Sequence, residues 1–162
     1  MERLEDYALI GDLQTAALVS RGGSIDWLCF PRFDSGACFA ALLGTEEHGR
    51  WLLRPVDPAA RSSWSYRRET LVLETEWETD AGAVRVVDFM PPRGHDPDVV
   101  RIVEGLRGEV ELRSELVIRF DYGRVVPWVR RAGNDTRIAV AGPDALRFEG
   151  AGHTRGEHMR TY

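Results

Sequence analysis

The chain has 162 residues, 43% of them hydrophobic and 29% charged, with a formal net charge of −5. That length suits one domain with its own core, and the composition is ordinary for a globular protein, so folding requires no metal or disulfide scaffold. The negative charge disfavours a nucleic-acid surface, Cys29 and Cys38 are too few for a disulfide framework or a four-ligand zinc site, and no apolar run approaches the ~20 residues of a membrane helix.

Taken in chain order, the first expected strands are Thr15–Ser20 and Ser24–Phe30, joined through Arg21–Gly22–Gly23. One short helix is expected over Ala37–Leu43, capped by Ser35 and ended by Gly44. Arg50–Leu53 reads as a strand and Pro55–Ser62 as a loop. Thr70–Glu78 alternates, with Leu71, Leu73 and Trp77 inward and Glu74, Glu76 and Glu78 outward. The Asp80–Ala81–Gly82 step turns it into Val84–Met90, which predicts a hairpin. Pro91–Pro97 is a loop. Val99–Glu104 and Val110–Asp121 are expected to form a second hairpin around Gly105 and Gly108.

The second of those segments has the clearest period. Val110, Leu112, Leu116, Ile118 and Phe120 share the buried parity, and Glu111, Arg113, Glu115, Arg119 and Asp121 the wet one. Weaker strands follow at Arg137–Ala141 and Ala145–Phe148. The polar tail Gly150–Tyr162 is expected to be poorly ordered. Many short strands and one short helix predict an all-β protein, an antiparallel β-sandwich over residues 1–148 with a tail at 149–162.

Chemistry is densest in GSIDWLCFPRFDSGACFAALLG, which places Asp26, Trp27, Arg32, Phe33 and Asp34 around Pro31. Aromatic rings beside carboxylates and a guanidinium suit a sugar: the ring stacks and the charges bind hydroxyls. The alternative is that Trp27 and Phe33 are core and Arg32 and Asp34 form a local ion pair. Asp26, Asp34 and Asp88 are the candidates for the paired carboxylates that glycoside hydrolysis needs. Asp88, in the apolar run VRVVDFMP, reads better as a buried acid bonded to backbone or to an Arg. Among five tryptophans, Trp77 falls on the buried parity, while Trp64 and Trp128 are the candidates for an exposed carbohydrate-binding face.

His48, His95, His153 and His158 show no ligand spacing, so no metal and no cofactor are expected. All 21 basic side chains are arginine, which excludes a Schiff-base lysine and a phosphate-loop lysine. The segment MERLEDYALIGD lacks the pattern of a secretory leader, and the cysteine usage fits a reducing cytoplasm.

The segment GSIDWLCFPRFDSGACFAALLG resembles the N-terminal domain of glycoside hydrolase family 15, the trehalase-like and glucoamylase-like bacterial enzymes. Upstream YALIGDLQTAALVSRGGSIDWL and downstream EEHGRWLLRP, VRVVDFMPP and VVRIVEGLRGEVEL fit the same family in the same order. FDYGRVVPW and AGPDALRF extend the likeness, which covers about Ile10 to Phe148. The resemblance implies an antiparallel β-sandwich that precedes a six-hairpin α/α barrel carrying two catalytic glutamates. Twelve helices of ~11 residues with loops of ~4–6 need roughly 180 residues. This chain has 162, already spent on strands, so no catalytic residue is carried over.

The expected role is therefore a non-catalytic module that packs on the barrel, in cis or as a separate chain, with the Asp26–Asp34 loop facing the barrel or the glucosyl substrate. Hydrolysis of trehalose, maltose-type or dextran-type α-glucosides would belong to the barrel. Two other readings are a free-standing carbohydrate-binding module and a truncated fragment without independent function. An unfinished sheet would leave an open edge, which favours homo-oligomers. No membrane or nucleic-acid partner is expected.

Overall fold

The computed structural model describes residues 3–150, 156–157 and 160–161. His153 and His158 lie outside the described residues. The fold is all-β, with antiparallel pairing throughout.

The first sheet begins with β1 (Tyr7–Gly11), β2 (Ala16–Ser20), β3 (Ser24–Cys29) and β4 (Ala37–Phe39). It continues through β5 (Arg50–Pro55) and, later in the chain, β10 (Leu112–Val117). A four-stranded sheet holds β6 (Arg61–Tyr66), β7 (Leu73–Glu78), β8 (Gly82–Phe89) and β9 (Val100–Gly108) in sequence order. A third sheet holds β11 (Trp128–Arg131), β12 (Thr136–Ala141) and β13 (Asp144–Glu149). The two-residue strands β14 (Gly156–Glu157) and β15 (Arg160–Thr161) extend the first sheet beyond β10, so part of the expected tail is strand.

The layers meet through their apolar parities. Ile10, Val19, Ile25 and Leu116 of the first sheet pack with Leu73 and Met90 from the second and Ala139 from the third. A smaller cluster joins Leu53 to Trp77, Val84 and Val86. Fully burying one such aliphatic side chain stabilises by about 1.5–3 kcal/mol. Both chain segments flanking Gly23 depend on its lack of a side chain. Its φ is +81°, and a Cβ there would sit 2.4 Å from the Leu53 carbonyl oxygen.

Between the sheets lies an ion pair with no solvent access. Arg101 of β9 and Asp88 of β8 each have side chains only 1% exposed. The guanidinium grips Asp88 at 2.8 and 3.1 Å and donates to the carbonyls of Trp51, at 2.6 Å, and Gly23, at 2.9 Å. Its plane also lies over the Trp51 ring, 5.3 Å from the centroid. Asp88 is thus the buried acid bonded to an Arg.

Several expectations are corrected. No α-helix forms over Ala37–Leu43: Ala37–Phe39 is β4, and Ala41–Leu43 is a single 3-10 turn. Ser35 caps no helix; its hydroxyl accepts from the Arg32 N–H, and its own N–H donates to the Arg32 carbonyl. The β7–β8 hairpin forms as expected, with Thr79 and Gly82 bonded across its turn. The second hairpin does not: β9 pairs with β8, while β10 pairs with β5. Glu115 and Arg119, expected to be wet, are buried, and Leu71, expected inward, is exposed. β1, β6 and β11 were not expected as strands. β9 is an edge strand with Ile102, Val103 and Leu106 exposed. The β1 edge is covered: the Tyr66 hydroxyl donates to the Leu9 carbonyl and accepts from its N–H, at 2.8 and 2.9 Å.

Candidate functional site

Strand β3 carries Asp26 on the face of the first sheet opposite Ile25. Its two oxygens accept from neutral hydroxyls, Tyr7 at 2.8 Å and Ser24 at 2.5 Å. Asp26 lines a cleft of about 580 Å³ together with Tyr7, Glu46, Arg50, Arg54 and Arg113. Arg50 and Arg113 both bind Glu115, whose side chain is fully buried. Arg50 also reaches Glu46 at 2.8 Å. The cleft therefore offers carboxylate acceptors and guanidinium donors in alternation, which suits a polar, hydroxyl-rich partner.

The other predicted residues lie apart. Trp27 is half-buried against Cys29, Ala37 and Ala40, with its ring 6.0 Å from that of Tyr122. It is a packing residue. Arg32, Phe33 and Asp34 project from the loop that follows the cis Phe30–Pro31 bond. Phe33 is 62% exposed. Arg32 and Asp34 pair at 3.0 Å with both side chains largely in solvent. That hydrogen bond from Arg32, with Asp34's own backbone N–H, holds the Asp34 carboxyl below its usual range. The five residues thus split into a cleft acid, a packed indole and an exposed loop tip. Asp88, sealed with Arg101 between the sheets, takes no part in a paired-carboxylate site.

Sequence reasoning missed the residue that anchors the loop. Asp12, in the tight β1–β2 connection, accepts from the backbone N–H groups of Gln14 at 2.9 Å and Thr15 at 2.8 Å. Its second oxygen accepts from Arg93 at 2.7 Å. The Gln14 carbonyl in turn receives the Phe33 N–H at 3.0 Å. The signal was present as an Asx turn in GDLQT. Burial works to raise the Asp12 pKa, but the backbone donors and the guanidinium outweigh it, and the net direction is down. A depressed folded-state value means stability that is fully present above the unfolded carboxylate value, ~3.9. It is lost as pH falls through the lower folded value. Asp12→Asn is expected to melt below the unaltered chain at pH 7, with a gap that narrows as pH falls below about 3.9. A constant gap across that range, in thermal melts followed by circular dichroism, refutes the assignment.

Trp64 packs partly on the main core, with Arg21 over its ring at 4.5 Å, so it offers no open binding face. Trp128, by contrast, is 78% exposed. Cys29 and Cys38 are free and buried, and burial pushes both thiols up, with the neighbouring Cys29 adding to the effect on Cys38. Among the described residues no cluster of three His, Cys, Asp or Glu side chains is placed to hold a metal ion. No helix among them is long and apolar enough to cross a membrane.

The family described as "Trehalase-like, N-terminal" matches residues 1–154. The chain is 31% identical over 141 residues to a trehalase of Mycobacterium tuberculosis, covering 75% of this chain and 21% of that protein. It is 35% identical over 128 residues to trehalase 1 of Sulfolobus acidocaldarius, covering 79% and 22%. It is 30% identical over 135 residues to a trehalase of Thermoplasma volcanium, covering 80% and 22%. No solved structure matches. The chain spans about a fifth of the length of these relatives. It belongs to the trehalase-like N-terminal domain family.

Proposed function

We infer that this chain is the N-terminal β-sandwich module of a family 15 glycosidase, packing on a catalytic α/α barrel and shaping the mouth of its active site. The observation that carries the reading is the family match over residues 1–154, on a chain whose described helical elements are only 3-10 turns. The reaction would be hydrolysis of an α-glucosidic bond with inversion, as in trehalose or a maltose-type sugar, in the cytoplasm. The acid and base would be barrel glutamates, so this chain contributes positioning rather than proton transfer.

The Arg32–Asp34 loop is the part assigned to the barrel or the glucosyl substrate. Two observations support it. Phe33 exposes an apolar ring that nothing else among the described residues covers, beside an ionised carboxylate. The loop is held from behind by Asp12 and Gln14 rather than left free. The exposed β9 edge is a further surface on which a strand from the same enzyme or a second copy would pair.

The test is glucose release from trehalose and malto-oligosaccharides by this chain alone, by the catalytic portion of a trehalase relative alone, and by the two together. Gain of activity only in the mixture is the expected result. Activity from this chain alone, or a mixture no better than the catalytic portion, overturns the reading.

A further inference from the structure

The third sheet has two faces of different chemistry. Cross-strand register places Val129, Ala139 and Leu146 in one row and Arg131, Arg137 and Phe148 in the next. That face turns inward. Ala139 is fully buried, Leu146 and Phe148 pack on the main core, and Phe148 meets Trp51 edge-on with centroids 5.5 Å apart. The opposite face carries the row Trp128–Val140–Ala145, then Arg130–Ile138–Arg147, then Thr136–Glu149. Trp128 is the most exposed aromatic side chain among the described residues, and Arg147 pairs with Glu149 in the open.

An indole in solvent on the exposed strand β11, beside β12 and β13 whose inner face is packed on the core, is a platform without its cover. The size of the face limits what covers it. One strand of four residues and two of six span at most roughly 20 by 14 Å, or about 300 Å². A stable protein interface takes roughly 800 Å² from each partner. On its own the face is smaller than a stable protein interface and of a size for a small molecule. Two guanidiniums and one carboxylate nearly balance, which removes the strong positive field that nucleic acid requires, on a chain that is itself at −5.

A pyranose ring matches what remains. Its C–H face stacks on an indole, and its rim of hydroxyls needs paired donors and acceptors. Arg130 stands ~7 Å from Trp128 along the strand, and Arg147 lies two strands, ~10 Å, from Arg130. Glu149, beside Arg147, supplies the acceptor. We propose that the outer face of β11–β13 binds α-glucosides, with Trp128 as stacking platform and Arg130, Arg147 and Glu149 as hydroxyl partners. The choice of α-glucosides rests on the trehalase-like reading above; the platform itself rests on the geometry.

The test is calorimetric titration of the whole chain with maltoheptaose, trehalose and, as a control, a thymidine oligonucleotide. The unaltered chain is compared with Trp128→Ala and Arg147→Gln. Both side chains are exposed, so circular dichroism should show both variants folded. Maltoheptaose is expected to bind the unaltered chain, about tenfold or more weakly after Trp128→Ala, and a few-fold more weakly after Arg147→Gln. The proposal is overturned if no saccharide binds, if affinity survives Trp128→Ala, or if the oligonucleotide binds in place of the sugar. Those failures leave the glucose-release comparison untouched. A failed glucose-release comparison with sugar binding intact would instead mark a sugar-binding module outside a barrel enzyme.

Discussion

Replacing Arg101 by Met is expected to destabilise the chain by about 3–5 kcal/mol, as is Asp88→Ala, because each leaves the other charge buried without its partner. The pair sits at 1% exposure on both sides, so water cannot compensate. Arg101 does more than neutralise Asp88. It leaves β9, spans the layer between sheets and ends on two carbonyls of the first sheet, those of Trp51 and Gly23. The second sheet is thereby tied to the first by two backbone-carbonyl bonds from one side chain, whose other two bonds hold Asp88 in its own sheet. Urea unfolding of Asp88→Ala, Arg101→Met and the double variant checks this. The double variant should cost less than the sum of the singles by 1 kcal/mol or more. An Arg101→Met loss below about 1 kcal/mol would show the pair to be incidental.

That staple explains which parts of the fold were legible. Strand parity is a local signal, and where neighbours in sequence are neighbours in the sheet it sufficed. Leu73 to Phe89 gave both strands and their turn correctly, because the Asp80–Gly82 step closes directly between Thr79 and Gly82. The same reasoning failed one strand later. Val100–Gly108 and Leu112–Val117 are adjacent in sequence, and the second alternates, but the chain changes sheets between them. At Gly108, φ is +64°, and Glu109 donates to Ala81, so the backbone is still bonded to the second sheet as it leaves. Alternation records which face is apolar, not which sheet supplies the partner.

The lost helix has a different cause. Ala37 to Leu43 is a continuous apolar run, and such a run carries no period to separate helix from buried strand. Tertiary pairing decided it. Ala37 and Phe39 pair with β3, while the carbonyls of Ala37 and Cys38 accept from Tyr122 and Arg119. Both edges of so short a strand are thus occupied.

The candidate site was legible as a density of chemistry but not as an arrangement. Asp26 and Asp34 lie eight residues apart in sequence, yet one faces a cleft beside Tyr7 and the other stands on an exposed loop. Trp128 was legible as a candidate for exposure, since Arg130 and Arg131 follow close behind it in VPWVRR, and it is exposed. Two buried charged residues, one of them beneath the cleft, were misread because they are charged. Glu115 and Arg119 sit on the polar parity of β10 and its extension, which normally faces water. Here that face is closed by the 3-10 turn Glu46–His48 and by arginines from neighbouring strands.

Glu115 follows as the second large effect. Its carboxylate has no solvent exposure and takes Arg50 on one oxygen, at 3.0 Å, and Arg113 on the other. Removing it in Glu115→Ala leaves two guanidiniums facing each other across β5 and β10, at an expected cost of about 2–4 kcal/mol. The partners are not equivalent. Arg50 is 19% exposed and Arg113 52%. Arg113→Met should therefore cost under about 1 kcal/mol, because water replaces much of what is lost, whereas Arg50→Met should approach the Glu115 value. Midpoints of urea unfolding for the three variants test the ranking. If Arg113→Met proves as damaging as Glu115→Ala, exposure is not what sets the energetics, and the cleft floor is a single indivisible network instead of a buried pair with a solvated third member.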